Sequence, residues 1–224
     1  MNFDVTYYSR IYRDFCAIGD EDYPSVVHYY EDHETGIQQL EFAEYFEILA
    51  AYTYALYKIN EHSKHILMSE VLVGEVINHN ITRHRKEDIF YNTLLRKAVS
   101  CNNLLRHSDA EHILRELIKI KPDNVYAKRE LQKCLLHQTP EYLKKIRAAV
   151  VLMLFLSAAI IVVELLFIRH LYPAFTPWFE YSRISIFVTA VLLLIFSEIY
   201  FKRQVNKQTT ALIETAASKK AGHF

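Results

Sequence analysis

Two long apolar runs near the C-terminal end limit what this chain can fold into. The first, Ala148–Ile168, has 21 residues with a single charge at Glu164, and as a helix it spans about 30 Å. The second, Ile184–Phe201, has 18 residues with a single charge at Glu198. Core helices of soluble proteins are seldom this long and apolar on every side. The two runs therefore predict two transmembrane helices joined by a short loop.

The flanking residues indicate how such a hairpin would lie in a membrane. The loop has basic residues only at its margins, Arg169 and Arg183, whereas six flank the other ends of the spans. This asymmetry predicts cytoplasmic N- and C-termini and a short outside loop. The N-terminal residues are too polar for a secretory signal, and the bacterial inner membrane is the expected location. The six basic residues are Lys144, Lys145, Arg147, Lys202, Arg203 and Lys207.

Polar and small residues inside the spans are candidates for function or packing. Intramembrane carboxylates are functional candidates by default, but Glu164 and Glu198 lie at depths too different for one shared site. Glu198 is predicted to reach toward Lys202, one turn away. Glu164 is predicted either to pair with an arginine at the outer interface or to line a pore in an oligomer. Small residues at similar depth predict close packing of the two helices or of neighbouring copies. They are Ser157, Ala158, Ala159, Thr189 and Ala190.

The remainder of the chain is predicted to be all-α. Apolar residues recur at helical spacing, and no alternating run is bounded by the turns of a β-hairpin. Asn60 is expected to cap a helix, and Ser108 with Glu111 has the pattern of a capping box. Helices are expected at about 3–18, 24–33, 38–58 and 61–78. The predicted domains are a cytoplasmic helical domain at 1–139, the membrane hairpin at 140–205 and a basic cytoplasmic tail at 206–224.

The stretch Leu104–Leu135 resembles tetratricopeptide-repeat (TPR) material. A small residue at Ala110 is followed by bulky apolar residues at Leu114 and Leu117, and Pro122 ends the helix. The resemblance covers about one and a half degenerate repeats, since no regular repeat precedes it. It implies a TPR-like arrangement of helical hairpins with a groove for a peptide or protein partner, and it carries over no catalytic residue.

The N-terminal region is acidic and rich in tyrosine. Residues 1–50 contain eleven acidic and two basic side chains, although the whole chain has no net charge. Ten of the sixteen tyrosines lie within residues 1–57. Tyrosines at helical spacing either pack half-buried against neighbouring helices or form a protein-binding face. The candidates for partner binding are Tyr29, Tyr30, Tyr52, Tyr54 and Tyr57.

Signs of catalysis or metal binding are few. The three cysteines are far apart, and His62 with His65 lacks the further ligands that a zinc site needs. No glycine-rich phosphate loop or hydrolase motif is present, so neither a cofactor nor a metal is expected. The neutral overall charge does not favour nucleic acid as a partner. The basic run at 83–86 is predicted to be a solvated loop.

Three hypotheses about function follow from these features. The leading one is a non-enzymatic, membrane-anchored adaptor or scaffold that binds a protein partner through its helical domain. The alternative is an oligomeric membrane effector whose hairpins form a pore, as in some defence systems. A minor alternative is a membrane-tethered ribonuclease, because Arg106 and His112 have the loose spacing seen in HEPN-type enzymes, which chance alone would also produce. The expected partners are proteins, the lipid bilayer and further copies of the chain.

Overall fold

In a computed structural model the chain is all-α, as predicted. The structure describes residues 9–19, 21–138, 140–163, 166 and 176–221, which form nine helices and no strand. The chain divides into two compact units. The first consists of the residues up to Cys134 together with those from Ala216 onward, and the second is Leu135–Thr215. The helices are α1 Arg10–Cys16, α2 Tyr23–Ile37, α3 Phe42–Lys58, α4 His62–Asn78, α5 Ile89–Asn103, α6 His107–Ile120, α7 Val125–His137, α8 Glu141–Val163 and α9 Thr176–Ala221.

Helices α1 to α6 pack in chain order, with each helix antiparallel to the one before it. One core cluster joins α1, α2 and α3 around Tyr30, Ile48 and Leu56. A second cluster joins α3, α4 and α5 around Leu49 and Leu72. Consecutive antiparallel packing is the coarse feature that the TPR-like pattern predicts, and the structure confirms it.

The residues that carry the TPR resemblance lie on the buried face of α6, the helix that packs against α5. Ala110, Leu114 and Leu117 recur along one face of α6, and all three are buried. A small residue at Ala110 lets the two helix backbones approach, while the two leucines fill the space beside it. Pro122 follows the end of α6, where its missing N–H leaves no helical hydrogen bond unmade.

Three helices end in the same way, on a residue with left-handed backbone. Asn60, Asn80 and Leu105 have φ values of 64°, 54° and 60°. After each, the next amide donates back to the helix, as in Arg106 N–H to the Cys101 carbonyl at 2.9 Å. Asn60 was expected as a cap and is confirmed. The capping box is not formed, because α6 already begins at His107 and makes no side-chain cap.

We expect Leu105→Gly to stabilise the protein by about 1 kcal/mol, because glycine adopts positive φ without the steric cost that a leucine bears. Leu105 is 77% exposed, so removal of its side chain sacrifices little burial. Leu104→Gly is the matched control: Leu104 has a φ of −86°, and glycine there should destabilise by a similar amount. Thermal melting of the full-length protein by circular dichroism compares them. Destabilisation by Leu105→Gly would contradict the expectation.

The last two helices are long and apolar enough to cross a membrane, over Glu141–Val163 and Tyr181–Ser218, and most of their surface is exposed. They pack together as a hairpin. On α8 the buried positions Leu143, Val150 and Ser157 recur every seven residues, which is the spacing of a left-handed two-helix seam.

The second apolar helix is longer at both ends than the sequence predicts. It begins at Thr176 within the predicted loop, because Pro177 is tolerated in the first turn of a helix. It then continues without a break through the predicted tail to Ala221, a length of about 70 Å.

Candidate functional site

A cavity of about 240 Å³ lies where α3, α4 and α5 meet the turn that precedes α5. The small residues Ala50 and Ala51 of α3 leave the space open, and Leu72 and Ile89 add apolar wall. Binding sites combine apolar wall with a few convergent polar groups, so this cavity is the candidate functional site of the helical unit. Its polar lining residues are Thr53, Tyr54, His65, His84, Arg85, Glu87, Asn92, Thr93 and Arg96.

Two histidines and two serines form a hydrogen-bond chain between α4 and α5, at the wall of the cavity that His65 lines. Ser69 Oγ donates to the His65 carbonyl at 2.6 Å, so it accepts from His65 Nε2 at 3.2 Å. His65 Nδ1 is then the acceptor for the Ser100 hydroxyl at 2.9 Å, and Ser100 accepts from His62 Nδ1 at 3.1 Å. Asn103 Nδ2 donates to His62 Nε2 at 3.0 Å. These tautomers follow from the hydrogen-bond geometry.

His65 is held in its neutral form by these surroundings. It is 1% exposed, and burial lowers the pKa of His65 from 6.5 to about 4, with the positive charges of Arg96 and Lys97 acting in the same direction. Both ring nitrogens are already hydrogen-bonded, so the side chain joins two helices and has no free nitrogen for a ligand. Within the described ranges, no group of three or more His, Cys, Asp or Glu side chains could hold a metal ion.

Arg96 lies at the rim of the cavity, against the ring of Tyr54. Its guanidinium carbon is 4.4 Å from the ring centroid, within the range of a cation–π contact. The ion pair from Arg96 Nη2 to Glu87 Oε2 is long, at 3.7 Å, while the same Glu87 oxygen accepts from Asn92 Nδ2 at 2.9 Å. Stacking therefore positions Arg96, and its N–H groups are only loosely paired.

A tight turn over His84–Glu87 contributes three side chains to the cavity. Its two central residues, Arg85 and Lys86, have positive φ values of 48° and 68°, a conformation that asparagine and glycine adopt most easily. Its two outer residues, His84 and Glu87, exchange backbone hydrogen bonds at 2.9 Å. Two side chains hold the turn to α3: His84 Nε2 and Arg85 Nη2 lie 2.7 and 3.2 Å from the carboxylate of Glu47. The basic run at 83–86 is thus partly engaged with α3.

Two buried threonines, Thr53 and Thr93, lie in the cavity wall. Thr53 Oγ1 donates to the Leu49 carbonyl at 2.8 Å. Thr93 is 3% exposed as a residue, but among the described residues it is the Tyr91 hydroxyl, and not that of Thr93, that is buried without a hydrogen-bond partner. The Thr93 hydroxyl can donate to an acceptor that enters the cavity.

The five tyrosines predicted to bind a partner have different environments. Tyr30 and Tyr52 stack in the core with ring centroids 3.8 Å apart, and burial raises the pKa of Tyr30 to about 12. These two rings are not available to a partner in this fold. Tyr29 is half-buried and donates to the Ile11 carbonyl at 2.8 Å. Tyr54 and Tyr57 are half-exposed, and partner binding through them stays a prediction.

The carboxylate of Glu198, in the second apolar helix, has a different partner from the one predicted. Glu198 Oε1 lies 2.5 Å from Arg147 Nη2, across the hairpin, because α8 brings a guanidinium closer than Lys202 on the same helix. Tyr142 donates to Gln204 Oε1 at 3.0 Å and agrees with the same antiparallel register. Glu164 lies outside the described residues.

The predicted packing residues of the hairpin divide into two groups. Ser157 and Ala190 are buried, as close packing of α8 and α9 requires. Ala158, Ala159 and Thr189 are exposed instead. Their contact with a neighbouring copy of the chain stays a prediction.

The ribonuclease pair lies at the start of α6. Arg106 Nη2 is 2.7 Å from Asp109 Oδ2, and both Arg106 and His112 are exposed. The ribonuclease hypothesis stays a prediction.

Sequence reasoning missed the residues of α5 that line the cavity. Thr93 and Arg96 line the cavity, and together with Ser100 they recur at intervals of three and four as a polar stripe along α5. This stripe was the available signal, but it does not reveal which elements face it.

Comparison of the chain with known protein families, with curated proteins and with solved structures found no match.

Proposed function

We propose that the protein is a membrane-anchored, non-enzymatic adaptor whose helical unit binds a protein partner on the cytoplasmic side. The observation that carries the proposal is a stack of consecutive antiparallel helices with an open cavity, followed by two apolar helices in the same chain. Stacked helical hairpins present extended surfaces that bind proteins. Only three residues separate the end of α7 from the start of α8, so the connection in the chain from the helical unit to the apolar helices is short.

The partner surface that we favour surrounds Tyr54. Lys58 Nζ lies 5.3 Å from the Tyr54 ring centroid, and Tyr23 meets the same ring edge-on at 5.8 Å. Tyrosine and arginine are the side chains enriched in protein interfaces, and Arg96 adds the second cation. A protein with an acidic contact surface would match these cations. The proposal also places the two apolar helices in a bacterial inner membrane, with both termini of the chain in the cytoplasm.

Purification of the full-length protein in a mild detergent tests the adaptor function. Light scattering gives the mass of the particle, and mass spectrometry identifies companions. We expect a stoichiometric foreign protein, whose recovery falls at least about fivefold in Lys58→Glu because the charge at the contact is reversed. Arg13→Glu, an exposed charge reversal on α1, should leave the recovery unchanged. Equal recovery with both variants would contradict the proposed surface, and a peak without a companion would contradict the adaptor.

The pore remains the second candidate, and the exposure of Ala158, Ala159 and Thr189 on the hairpin is the observation that favours it. If the protein forms a pore, the same purification should yield a discrete homo-oligomer without a foreign protein. Leakage of a small dye from liposomes that contain the purified oligomer would then support the pore hypothesis.

A further inference from the structure

We propose that the cavity between α3, α4 and α5 binds a small organic acid, a molecule with one carboxylate on a compact apolar body. Tyr54 and Arg96 belong both to this cavity and to the proposed partner surface, but the two proposals are tested separately: Lys58→Glu probes the protein partner, and a small ligand probes the cavity.

The size of the cavity limits the ligand to a small molecule. A volume of about 240 Å³ holds about eight water molecules at the density of the liquid, which is the space of a single aromatic ring with a substituent. The wall is apolar where Ala50, Leu72 and Ile89 line it. An apolar body therefore gains from burial against these residues.

The polar part of the wall is short of acceptors. Arg85 and Arg96 supply cationic donors, and Glu87 is the only acidic residue among the lining side chains. Glu87 already accepts from Asn92, and Arg85 is paired with Glu47 at 3.2 Å. Arg96 is left with its long 3.7 Å ion pair. The wall therefore has more hydrogen-bond donors than free acceptors, and a ligand with acceptor oxygens would complement it.

Arg96 and Thr93 are one turn apart on α5, so both can address the same group of a ligand. A guanidinium offers parallel N–H groups that match the two oxygens of a carboxylate. The hydroxyl of Thr93, a residue of the cavity wall, can donate to the same carboxylate.

The strained turn fits the same interpretation. Arg85 and Lys86 hold positive φ values that cost about 1 kcal/mol or more each, and such strain is found at ligand clamps. His84, Arg85 and Glu87 line the cavity from this turn, and Glu47 fastens it to α3.

Benzoate is a suitable probe, and benzamide is its neutral counterpart of the same shape. The full-length protein in lipid nanodiscs is titrated with each, and binding is followed by saturation-transfer NMR with empty nanodiscs as the blank. We expect saturable benzoate binding with a Kd on the order of 1 mM, as for other ligands of this size. Benzamide should bind at least about tenfold more weakly, because it lacks the charge that Arg96 recognises.

Two variants and a control locate the site. Arg96→Gln should weaken benzoate binding about tenfold or more, and Arg13→Gln should not change it. Thr93→Val should weaken binding about threefold and leave the melting temperature nearly unchanged, because valine has nearly the same shape and lacks only the hydroxyl that would contact the ligand. An unchanged melting temperature separates a lost ligand contact from a damaged fold, also where Arg96→Gln lowers the melting temperature.

The outcomes decide the proposal. Tighter binding of benzoate than of benzamide, lost in Arg96→Gln and weakened in the well-folded Thr93→Val, supports it. Equal binding of the two probes, no saturable benzoate binding, or binding unchanged in both variants overturns it. Inorganic phosphate is the third probe: if it binds as tightly as benzoate, the apolar wall contributes nothing and the assignment to an organic acid is wrong.

Discussion

Lowering the pH from 6.5 to about 4 is expected to destabilise the helical unit by about 3 kcal/mol through His65 alone. The pKa of His65 is lowered in the folded protein, so below pH 6.5 the unfolded chain binds a proton that the folded chain does not. Stability is therefore present above pH 6.5 and is lost as the pH falls toward the folded pKa.

The hydrogen-bond chain explains why the proton is excluded. His65 Nδ1 accepts from the Ser100 hydroxyl, and Ser100 accepts from His62. A proton on Nδ1 would turn this acceptor into a donor, and the chain would have to reorganise without access to water. The buried imidazolium would also lie near the positive charges of Arg96 and Lys97.

Hydrogen exchange of α4 and α5 amides in the full-length protein measures this effect, after correction for the pH dependence of intrinsic exchange. In His65→Gln the side chain can still hydrogen-bond but does not titrate, so the loss of protection between pH 6.5 and 4 should shrink by most of its value. Carboxylates contribute equally to both proteins and cancel in the difference. An identical loss in the variant would refute the role of His65.

Leu117→Ala is expected to destabilise the packing of α6 by about 3 kcal/mol, because it removes a fully buried side chain and leaves a cavity in the core. Leu67→Ala makes the same chemical change on α4, where the side chain is 64% exposed, and should cost about 0.5 kcal/mol or less. Exchange protection of α5 and α6 in both variants gives the comparison. A small effect at Leu117 would show that α6 is not anchored through this face.

Most of the helical domain could be predicted from periodicity and end signals. The helix expected at 61–78 is found at His62–Asn78, and Asn60, expected as a cap, has a left-handed backbone between α3 and α4. The start of α6 was placed wrongly because a Ser–x–x–Glu pattern is only local. The preceding turn at Leu105 already bends the chain, and the helix begins before Ser108.

Side-chain partners could be predicted less well than the helices. A carboxylate four residues from a lysine suggests a pair on one helix, but Glu198 instead meets Arg147, which lies 51 residues away in the chain. The tyrosines are a second example, because their spacing along α2 and α3 does not reveal that Tyr30 and Tyr52 stack on each other in the core. Such contacts depend on the register between helices, which no local pattern encodes.

The sequence by itself determined the two long apolar helices and the all-α class, because apolar length and helical period are properties of continuous segments. Only the tertiary structure decided the cavity. Its wall brings together Ala50, His65, the turn at His84 and Arg96, residues from four segments that are each unremarkable alone. The space exists because small side chains of α3 face polar ones of α5, and that arrangement arises only when the helices pack.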